Sequence, residues 1–236
     1  KQQRQVSENI KKTMDFRNDS KPNIHLIHGI TGSGKTEVYI DLIDYTISKG
    51  KAVIVLIPEI ALTYQTVMRF TRRFGDRVSI INSRLSKGER YDQFERAKNG
   101  DVDIMIGPRS ALFTPFKNLG LIIIDEEHES AYKSESVPKY HATEVAIKRA
   151  KDVGATLVLG SATPSVESYY RAKNGAYKLH VLNKREKGNL PEVHVVDLRE
   201  ELKNENKSIF SIELQNLIKD RLEKQQQTML FINRRG

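Results

Sequence analysis

The chain has 236 residues, enough for one large domain or for one domain and part of another. It contains no cysteine, which excludes a disulfide framework and a thiolate metal site and fits a reducing compartment. No apolar run approaches about 18 residues, so we expect no membrane span. Lys and Arg number 39 against 30 Asp and Glu, a formal charge of +9 that favours a polyanionic partner, with nucleic acid ahead of a membrane surface.

The N-terminal stretch predicts a helix. Residues 1–23 are polar and end in a turn from Asn18 to Pro22. A glutamine amide both donates and accepts hydrogen bonds, so Gln3 is a candidate for the edge of an adenine base; the alternative is a solvated helix residue. The first residue is Lys1 and no basic-then-apolar leader follows, so we interpret the chain as a fragment of a longer protein.

Residues 29–36, GITGSGKT, fit the pattern G-x-x-x-x-G-K-[ST] at every fixed position. A short apolar strand at 24–27 precedes them, and residues 37–49 follow with helical periodicity. This is the setting of a phosphate-binding loop, in which backbone N–H groups surround phosphate oxygens. Lys35 would reach the β- and γ-phosphates of ATP and Thr36 would hold Mg²⁺. The other candidate cofactor-binding residues are Gly29, Thr31, Gly32, Ser33 and Gly34.

Strands and helices then alternate. Apolar runs predict strands at residues 52–57, 78–81, 102–106, 121–124 and 155–159. A helix is predicted from Pro58 to Arg73, and another begins at a capping box, Ser86 to Glu89, and ends at Asn99-Gly100. The alternation predicts an α/β fold in which helices flank a mostly parallel sheet, with ligands at the carboxyl ends of the strands.

An acidic cluster follows the strand at 121–124. The strand would carry Asp125 to the sheet edge beside the phosphate loop, where its carboxylate could hold Mg²⁺ through water. Glu126 could accept a proton from the water that attacks the γ-phosphate. A solvated acidic loop is the alternative.

Small residues follow the strand at 155–159 in the same way. Ser161, Ala162 and Thr163 would lie at the same sheet edge, where a hydroxyl could hydrogen-bond His128 and respond to the nucleotide. Ordinary turn chemistry is the alternative.

The composition changes near residue 184. Residues 184–191 are polar and end in Pro191, which predicts a linker between a first domain at 1–183 and the truncated start of a second at 192–236. Beyond it we predict a strand at 193–196, a helix at 210–222 and a strand at 229–232.

The order GITGSGKT, DEEH, SAT and a terminal NRRG resembles superfamily 2 helicases. The longer blocks GITGSGKTEVYI, PEIALTYQ, GPRSALFTPF, DEEHESAYK, GSATPSVES and FINRRG resemble the PriA family of replication-restart helicases, over essentially the whole chain. The resemblance implies a RecA-like P-loop NTPase lobe followed by the start of a second α/β lobe. It also implies a 3′→5′ DNA helicase that uses Mg²⁺ and ATP and acts at stalled forks.

The resemblance further implies roles for single residues. Lys35, Asp125, Glu126 and His128 would be catalytic, and Gln3 would match the adenine-reading glutamine. Tyr132, Tyr140 and His141 are interleaved with lysines; they could stack on unpaired bases, at roughly 1–3 kcal/mol per base, or instead pack beneath a surface loop. The full set of implied DNA contacts and coupling residues is Pro58, Arg109, Ser110, Tyr132, Tyr140, His141, Ser161, Ala162, Thr163, Arg234 and Arg235.

The family also implies a setting. We expect forked and single-stranded DNA as partners, and primosome proteins, single-stranded DNA-binding protein and a zinc site in the longer parent, but no zinc in this chain. The site of action would be the bacterial cytoplasm at the replication fork. The chain alone would bind Mg·ATP but hydrolyse it poorly, because a second lobe supplies an arginine finger in this family. A P-loop switch whose ATP turnover ignores DNA, or a module that docks a partner protein, are the alternatives.

Overall fold

The computed structural model describes residues 1–15, 22–185, 192–203 and 205–232. The chain divides into two compact units, residues 1–188 and 189–236. Most of the predicted turn before Pro22, most of the predicted linker, and Arg234 and Arg235 lie outside the described residues.

The first unit is built on a parallel sheet. Its strands, in the described part of the chain, are β1 (Asn23–Gly29), β2 (Ala52–Leu56), β3 (Val78–Ile80), β4 (Ile104–Gly107), β5 (Leu119–Asp125), β6 (Thr156–Ser161) and β7 (Lys178–Leu182). They lie in the order β3-β4-β2-β5-β6-β1-β7, and every pair is parallel. The central strands are buried on both faces, which explains why they are continuous apolar runs in the sequence.

Helices cover both faces of the sheet. They are α1 (Gln2–Asp15), α2 (Lys35–Ser48), α3 (Tyr64–Phe74), α4 (Lys87–Asn99), α5 (Ala142–Val153) and α6 (Val166–Lys173). One apolar core takes Ile10 from α1, Tyr39 from α2 and Phe70 from α3. The core on the other face takes small residues, Ala97, Ala146 and Ala172, from α4, α5 and α6. The predicted α/β architecture is confirmed.

Local signals succeeded where a side chain caps a helix. The Ser86 side chain accepts from the Glu89 amide and the Glu89 carboxylate accepts from the Ser86 amide, so the predicted capping box is confirmed, as is the end of α4 at Gly100 with φ 86°.

The single helix predicted from Pro58 is wrong. A short 3₁₀ turn at Glu59–Ala61 comes first, and α3 begins only after Thr63, whose hydroxyl accepts from the Thr66 amide at 3.3 Å.

The second unit is described by itself. It contains α7 (Leu198–Lys203) and α8 (Ile212–Glu223), and the Glu201 carboxylate accepts from the Ile212 amide at 2.8 Å and from the Asn206 side-chain amide at 2.6 Å. The predicted strands at 193–196 and 229–232 are wrong for the described residues, which have no ladder partners there. A strand needs a neighbour to take its hydrogen bonds, and Val195 and Phe231 are more than 90% exposed.

No helix in the described ranges is both long and apolar enough to cross a bilayer.

Candidate nucleotide and nucleic-acid site

The sheet topology brings the predicted motifs to one edge. The phosphate loop begins at the last residue of β1, the segment Ser161 to Thr163 at the last residue of β6, and the acidic cluster at the last residue of β5. These strands are adjacent, in the order β5-β6-β1, and all are parallel, so their carboxyl ends meet. The segment after β6 therefore lies between the other two.

The backbone of the phosphate loop adopts the tight turn that its glycines allow. Gly32 and Gly34 adopt φ values of 78° and 84°, in the left-handed region that favours glycine. A methyl group on Gly29 would lie 2.7 Å from the Ser33 hydroxyl oxygen, so a larger residue there would crowd the loop. The first amides of α2 have no intrahelical partner, and a helix N-terminus attracts anions.

A cleft of about 370 Å³ opens over this loop. Its lining includes Lys35, Thr36, Asp125 and Glu126, together with Arg69 of α3. The backbone cradle, the lysine and the facing carboxylates match what Mg·ATP requires, so the residues present fit that ligand.

Lys35 lies between the loop and the acidic cluster. Its ammonium donates to the Gly29 carbonyl oxygen at 2.9 Å and lies 3.6 Å from Glu126 Oε1. Glu126 has φ 46°, a conformation uncommon for residues other than glycine and concentrated at functional sites. The predicted phosphate and acidic residues are thus brought together.

Asp125 is the last residue of β5 and is partly exposed. Its Oδ1 accepts from the Tyr39 hydroxyl at 2.9 Å. Burial raises the pKa of the Asp125 carboxyl and the nearby Glu126 adds to the rise, whereas the hydrogen bond from Tyr39 and the charge of Lys35 oppose it. Burial also raises the pKa of Tyr39 well above its ordinary value, which keeps this hydroxyl a donor.

His128 contacts the end of β6 and the residues after it, as the sequence predicted. Its Nδ1 lies 2.7 Å from Ser161 Oγ and its Nε2 lies 3.4 Å from Thr163 Oγ1. Nδ1 also lies 3.7 Å from Glu126 Oε2. A chain of polar contacts therefore joins the acidic cluster to Ser161 and Thr163. Ala162 lies between these two hydroxyl residues and is partly exposed.

Gln3 is tied to the phosphate loop. Its side-chain amide donates to the Ser33 carbonyl oxygen at 2.8 Å. It also lines a cleft of about 440 Å³ between α1 and α2, next to Glu37. This position is compatible with the adenine contact, which stays a prediction.

Three predicted DNA contacts share a second cleft. Pro58, Arg109 and Ser110 line a space of about 360 Å³ at the ends of β2 and β4. The Arg109 guanidinium donates through Nη1 to the carbonyl oxygens of Ala131 at 3.1 Å and Lys133 at 2.7 Å. Arg109 is therefore bound to the loop after the acidic cluster.

The aromatic residues of that loop divide into two kinds. Tyr132 is 1% exposed, and its hydroxyl donates to the carbonyl oxygens of Asp125 at 2.7 Å and Leu56 at 3.1 Å. Stacking of Tyr132 on a base is thus a wrong prediction for this conformation, since the ring packs beneath the loop. Tyr140 is partly exposed against the half-exposed Phe113 ring, and His141 accepts from the Thr143 amide at the start of α5.

Three residues of this region were not singled out from the sequence. Arg69 and Tyr39 reach the site from helices whose packing a local pattern does not give. The i, i+4 spacing of Lys35 and Tyr39 was the available signal for the second. Phe113, beside Tyr140, carried the weaker signal of an aromatic residue just after Arg109 and Ser110.

The proposed Mg²⁺ site is not a cage of side chains. In the part of the chain that the structure describes, no group of three or more His, Asp and Glu residues is placed to hold a metal. Mg²⁺ usually binds through one or two carboxylates with phosphates and waters, so Thr36 and Asp125 fit it without such a group.

Comparisons with known proteins agree with this geometry. The family model described as type III restriction enzyme, res subunit, matches residues 1–166. The replication restart protein PriA of Bacillus subtilis (strain 168) is 50% identical over 239 residues, which cover 100% of this chain and 29% of that relative. PriA of a Synechocystis species is 49% identical over 217 residues, covering 89% of this chain and 26% of that one.

Solved structures show the same fold at lower identity. RecG bound to a three-way DNA junction gives a TM-score of 0.57 at 23% identity, covering 81% of this chain and 24% of RecG. The Hef helicase domain of Pyrococcus furiosus gives a TM-score of 0.52 at 21% identity, covering 78% of this chain and 38% of that domain.

The fold is that of the RecA-like lobes in these solved structures, and it brings the phosphate-loop motif and the acidic cluster to one edge of the sheet. The chain belongs to the family described as type III restriction enzyme, res subunit. The resemblance to the PriA replication-restart proteins is confirmed, and the chain spans less than a third of the length of the two PriA proteins compared above.

Proposed function

We propose that this chain is the ATP-binding motor lobe of a 3′→5′ DNA helicase that restarts stalled replication forks. The observation that carries the proposal is the convergence at one sheet edge: Lys35 lies 3.6 Å from Glu126, and His128 lies 2.7 Å from Ser161. The likeness to PriA directs the proposal toward fork DNA as the partner.

The residues divide the work of phosphoryl transfer. Bound Mg·ATP supplies the phosphoanhydride bond that is broken. Lys35 would neutralise charge on the phosphates, Thr36 and Asp125 would hold the metal, and Glu126 would orient the attacking water and take its proton while ADP leaves. Gln3 binds the base.

The second cleft is the proposed track of the DNA backbone. Arg109 and Ser110 can bond phosphate oxygens without reading sequence. Arg109 holds the loop that contains Tyr132, and the Tyr132 hydroxyl bonds the backbone of Asp125. A phosphate that binds Arg109 and shifts it would therefore disturb the end of β5. Tyr140 and His141 are the more exposed residues proposed to contact the DNA. Ser161 to Thr163 are proposed to transmit the state of the nucleotide to the DNA site.

The wider role rests on the resemblance to the family of replication-restart helicases and stays a prediction. It includes primosome proteins, single-stranded DNA-binding protein and zinc in a longer parent, a docked partner protein, action in the bacterial cytoplasm, and slow hydrolysis by this chain alone.

Binding of a fluorescent ATP analogue with Mg²⁺ tests the nucleotide site. Lys35→Ala is expected to weaken binding at least tenfold, because a hydrogen bond to a charged group contributes roughly 1.5–3 kcal/mol and about 1.4 kcal/mol is tenfold. Lys49→Ala is the control, since Lys49 follows the far end of α2 and lies 3.7 Å from Asp15. Equal binding by wild type and Lys35→Ala would contradict the proposal. Binding that needs Lys35 but ignores DNA would favour a P-loop switch.

A further inference from the structure

We infer that Tyr39 is a positioning residue that orients the Asp125 carboxylate for Mg²⁺, and that Gly160 leaves the space in which it does so. The inference rests on the proposed nucleotide site and adds to it two residues that lie outside the phosphate loop and the acidic cluster.

The hydrogen bond joins a fully buried donor to a partly exposed carboxylate. Tyr39 is 1% exposed, and its hydroxyl donates to Asp125 Oδ1 at 2.9 Å. The ring packs in the apolar core on the α2 face of the sheet, so its position is fixed by packing as well as by the bond. A bond to one carboxylate oxygen restricts rotation of the group and leaves Oδ2 for the metal shell. Carboxylates that bind metals are usually held by such outer partners.

Gly160 makes this contact possible. It lies in β6 between β1 and β5, paired with Ile27 on one side and with Asp125 on the other. A methyl group on Gly160 would overlap the Tyr39 hydroxyl. Since the φ of Gly160 is not in the left-handed region, the need for glycine at this position is one of space. The tyrosine thus crosses over β6 to reach the neighbouring strand.

Helix α2 carries the side chains proposed to bind the phosphates and the metal, and also the donor to Asp125. Lys35 and Tyr39 are four residues apart on α2, and Thr36 and Tyr39 are three apart, so the three side chains share a face. Movement of α2 with the phosphates would move the donor to Asp125 as well. This links phosphate binding to the orientation of the metal-binding carboxylate through one rigid element.

The test is a Mg²⁺ titration of fluorescent ATP analogue binding. Tyr39→Phe keeps the ring and removes the hydroxyl. The Mg²⁺ midpoint is the Mg²⁺ concentration that gives half of the gain in nucleotide affinity. We expect it to rise about tenfold in Tyr39→Phe, which is the lower end of the effect of losing a residue that holds a metal ligand. Affinity measured in EDTA should stay at the wild-type value, a result that general damage to the fold would not give.

Two further variants sharpen the result. Tyr45→Phe is the matched control, because Tyr45 lies on the same helix and its hydroxyl bonds the exposed Asp15; its Mg²⁺ midpoint should match wild type. Gly160→Ala displaces the Tyr39 hydroxyl from the other side, so it should shift the midpoint in the same direction as Tyr39→Phe.

The outcomes separate this inference from the proposed function. If nucleotide binding depends on Mg²⁺ and is weakened by Lys35→Ala, but the Mg²⁺ midpoint of Tyr39→Phe lies within twofold of wild type, the inference alone is overturned. If nucleotide binding is the same in wild type and Lys35→Ala and does not depend on Mg²⁺, the inference and the nucleotide site are overturned together.

Discussion

Arg109 has a contact that gives it a second role besides the one expected from its motif. The sequence predicts a phosphate contact, whereas the structure has its Nη1 bonded to the carbonyl oxygens of Ala131 and Lys133. The guanidinium has five N–H donors, so one face can hold the loop while another binds a phosphate. The two roles make different predictions for salt dependence.

Arg109→Ala is expected to weaken binding of single-stranded DNA several-fold. If Arg109 neutralises a phosphate, the slope of log affinity against log salt should fall by about 0.7, the value for one phosphate of a single strand. Fluorescence anisotropy at several salt concentrations measures this. Arg77→Ala is the control, because Arg77 precedes β3 at the opposite sheet edge and pairs with Asp103 at 2.6 Å. A weaker affinity with an unchanged slope would show that Arg109 only holds the loop.

Residues whose role is tied to a local pattern were predictable from the sequence. The phosphate loop, Asp125, Glu126 and the contact of His128 with Ser161 followed from motifs at the ends of predicted strands. Tyr39 and Arg69 did not, because their place at the site depends on how α2 and α3 pack against the sheet. Tyr132 was misjudged for the same reason, since nothing local separates a buried tyrosine from an exposed one.

At the scale of elements, a pair of histidines joins β1 to β7, with His25 buried and His180 partly exposed. His25 Nδ1 lies 2.9 Å from His180 Nε2, and His25 Nε2 lies 2.9 Å from the Thr13 hydroxyl of α1 and 3.0 Å from Asn23 Oδ1. Burial lowers the pKa of His25 from 6.5 to about 3, and His180 and Lys178 add to the effect. Burial and Lys178 also lower the pKa of His180.

The free energy of unfolding should therefore fall as the pH falls from about 6.5 toward 3. A lowered pKa in the folded state means that the unfolded state binds more protons in this window, and full stability is present above it. The loss is up to about 1.4 kcal/mol per pH unit from His25. Denaturant unfolding of wild type and His25→Gln at pH 6 and pH 5 measures the slope.

In His25→Gln the free energy of unfolding should depend less steeply on pH, by about the contribution of one proton. Loss of packing in His25→Gln lowers stability at both pH values and leaves the difference between them informative. An identical slope in the two proteins, or an imidazole NMR signal of wild-type His25 that titrates near pH 6.5, would contradict the assignment.

Elements were predictable where the sequence signal is local, as in a capping pair or a continuous apolar run. The capping box of α4 and the buried parallel strands followed from the sequence. The strands at 193–196 and 229–232 did not form, because a strand is stabilised by a partner that the pattern itself does not supply. At Pro58 the helix punctuation was present, but the Thr63 hydroxyl sets the true start of α3.

At the scale of the whole molecule, the charge of +9 and the second cleft favour a polyanionic partner. The nucleotide cleft and the second cleft are joined by contacts through Arg109, the Tyr132 loop and Asp125. Two sites that bias one shared element must influence each other equally. Nucleotide should therefore tighten DNA by the same factor by which DNA tightens nucleotide.

The most direct measurement is the affinity of this chain for single-stranded DNA with and without a saturating, non-hydrolysable Mg·ATP analogue. We predict that the analogue tightens DNA binding, that Lys35→Ala removes the effect, and that the reverse titration gives the same factor. DNA affinity that is unchanged by a nucleotide whose binding depends on Lys35 would contradict the coupled motor lobe and leave a nucleotide switch that works without DNA.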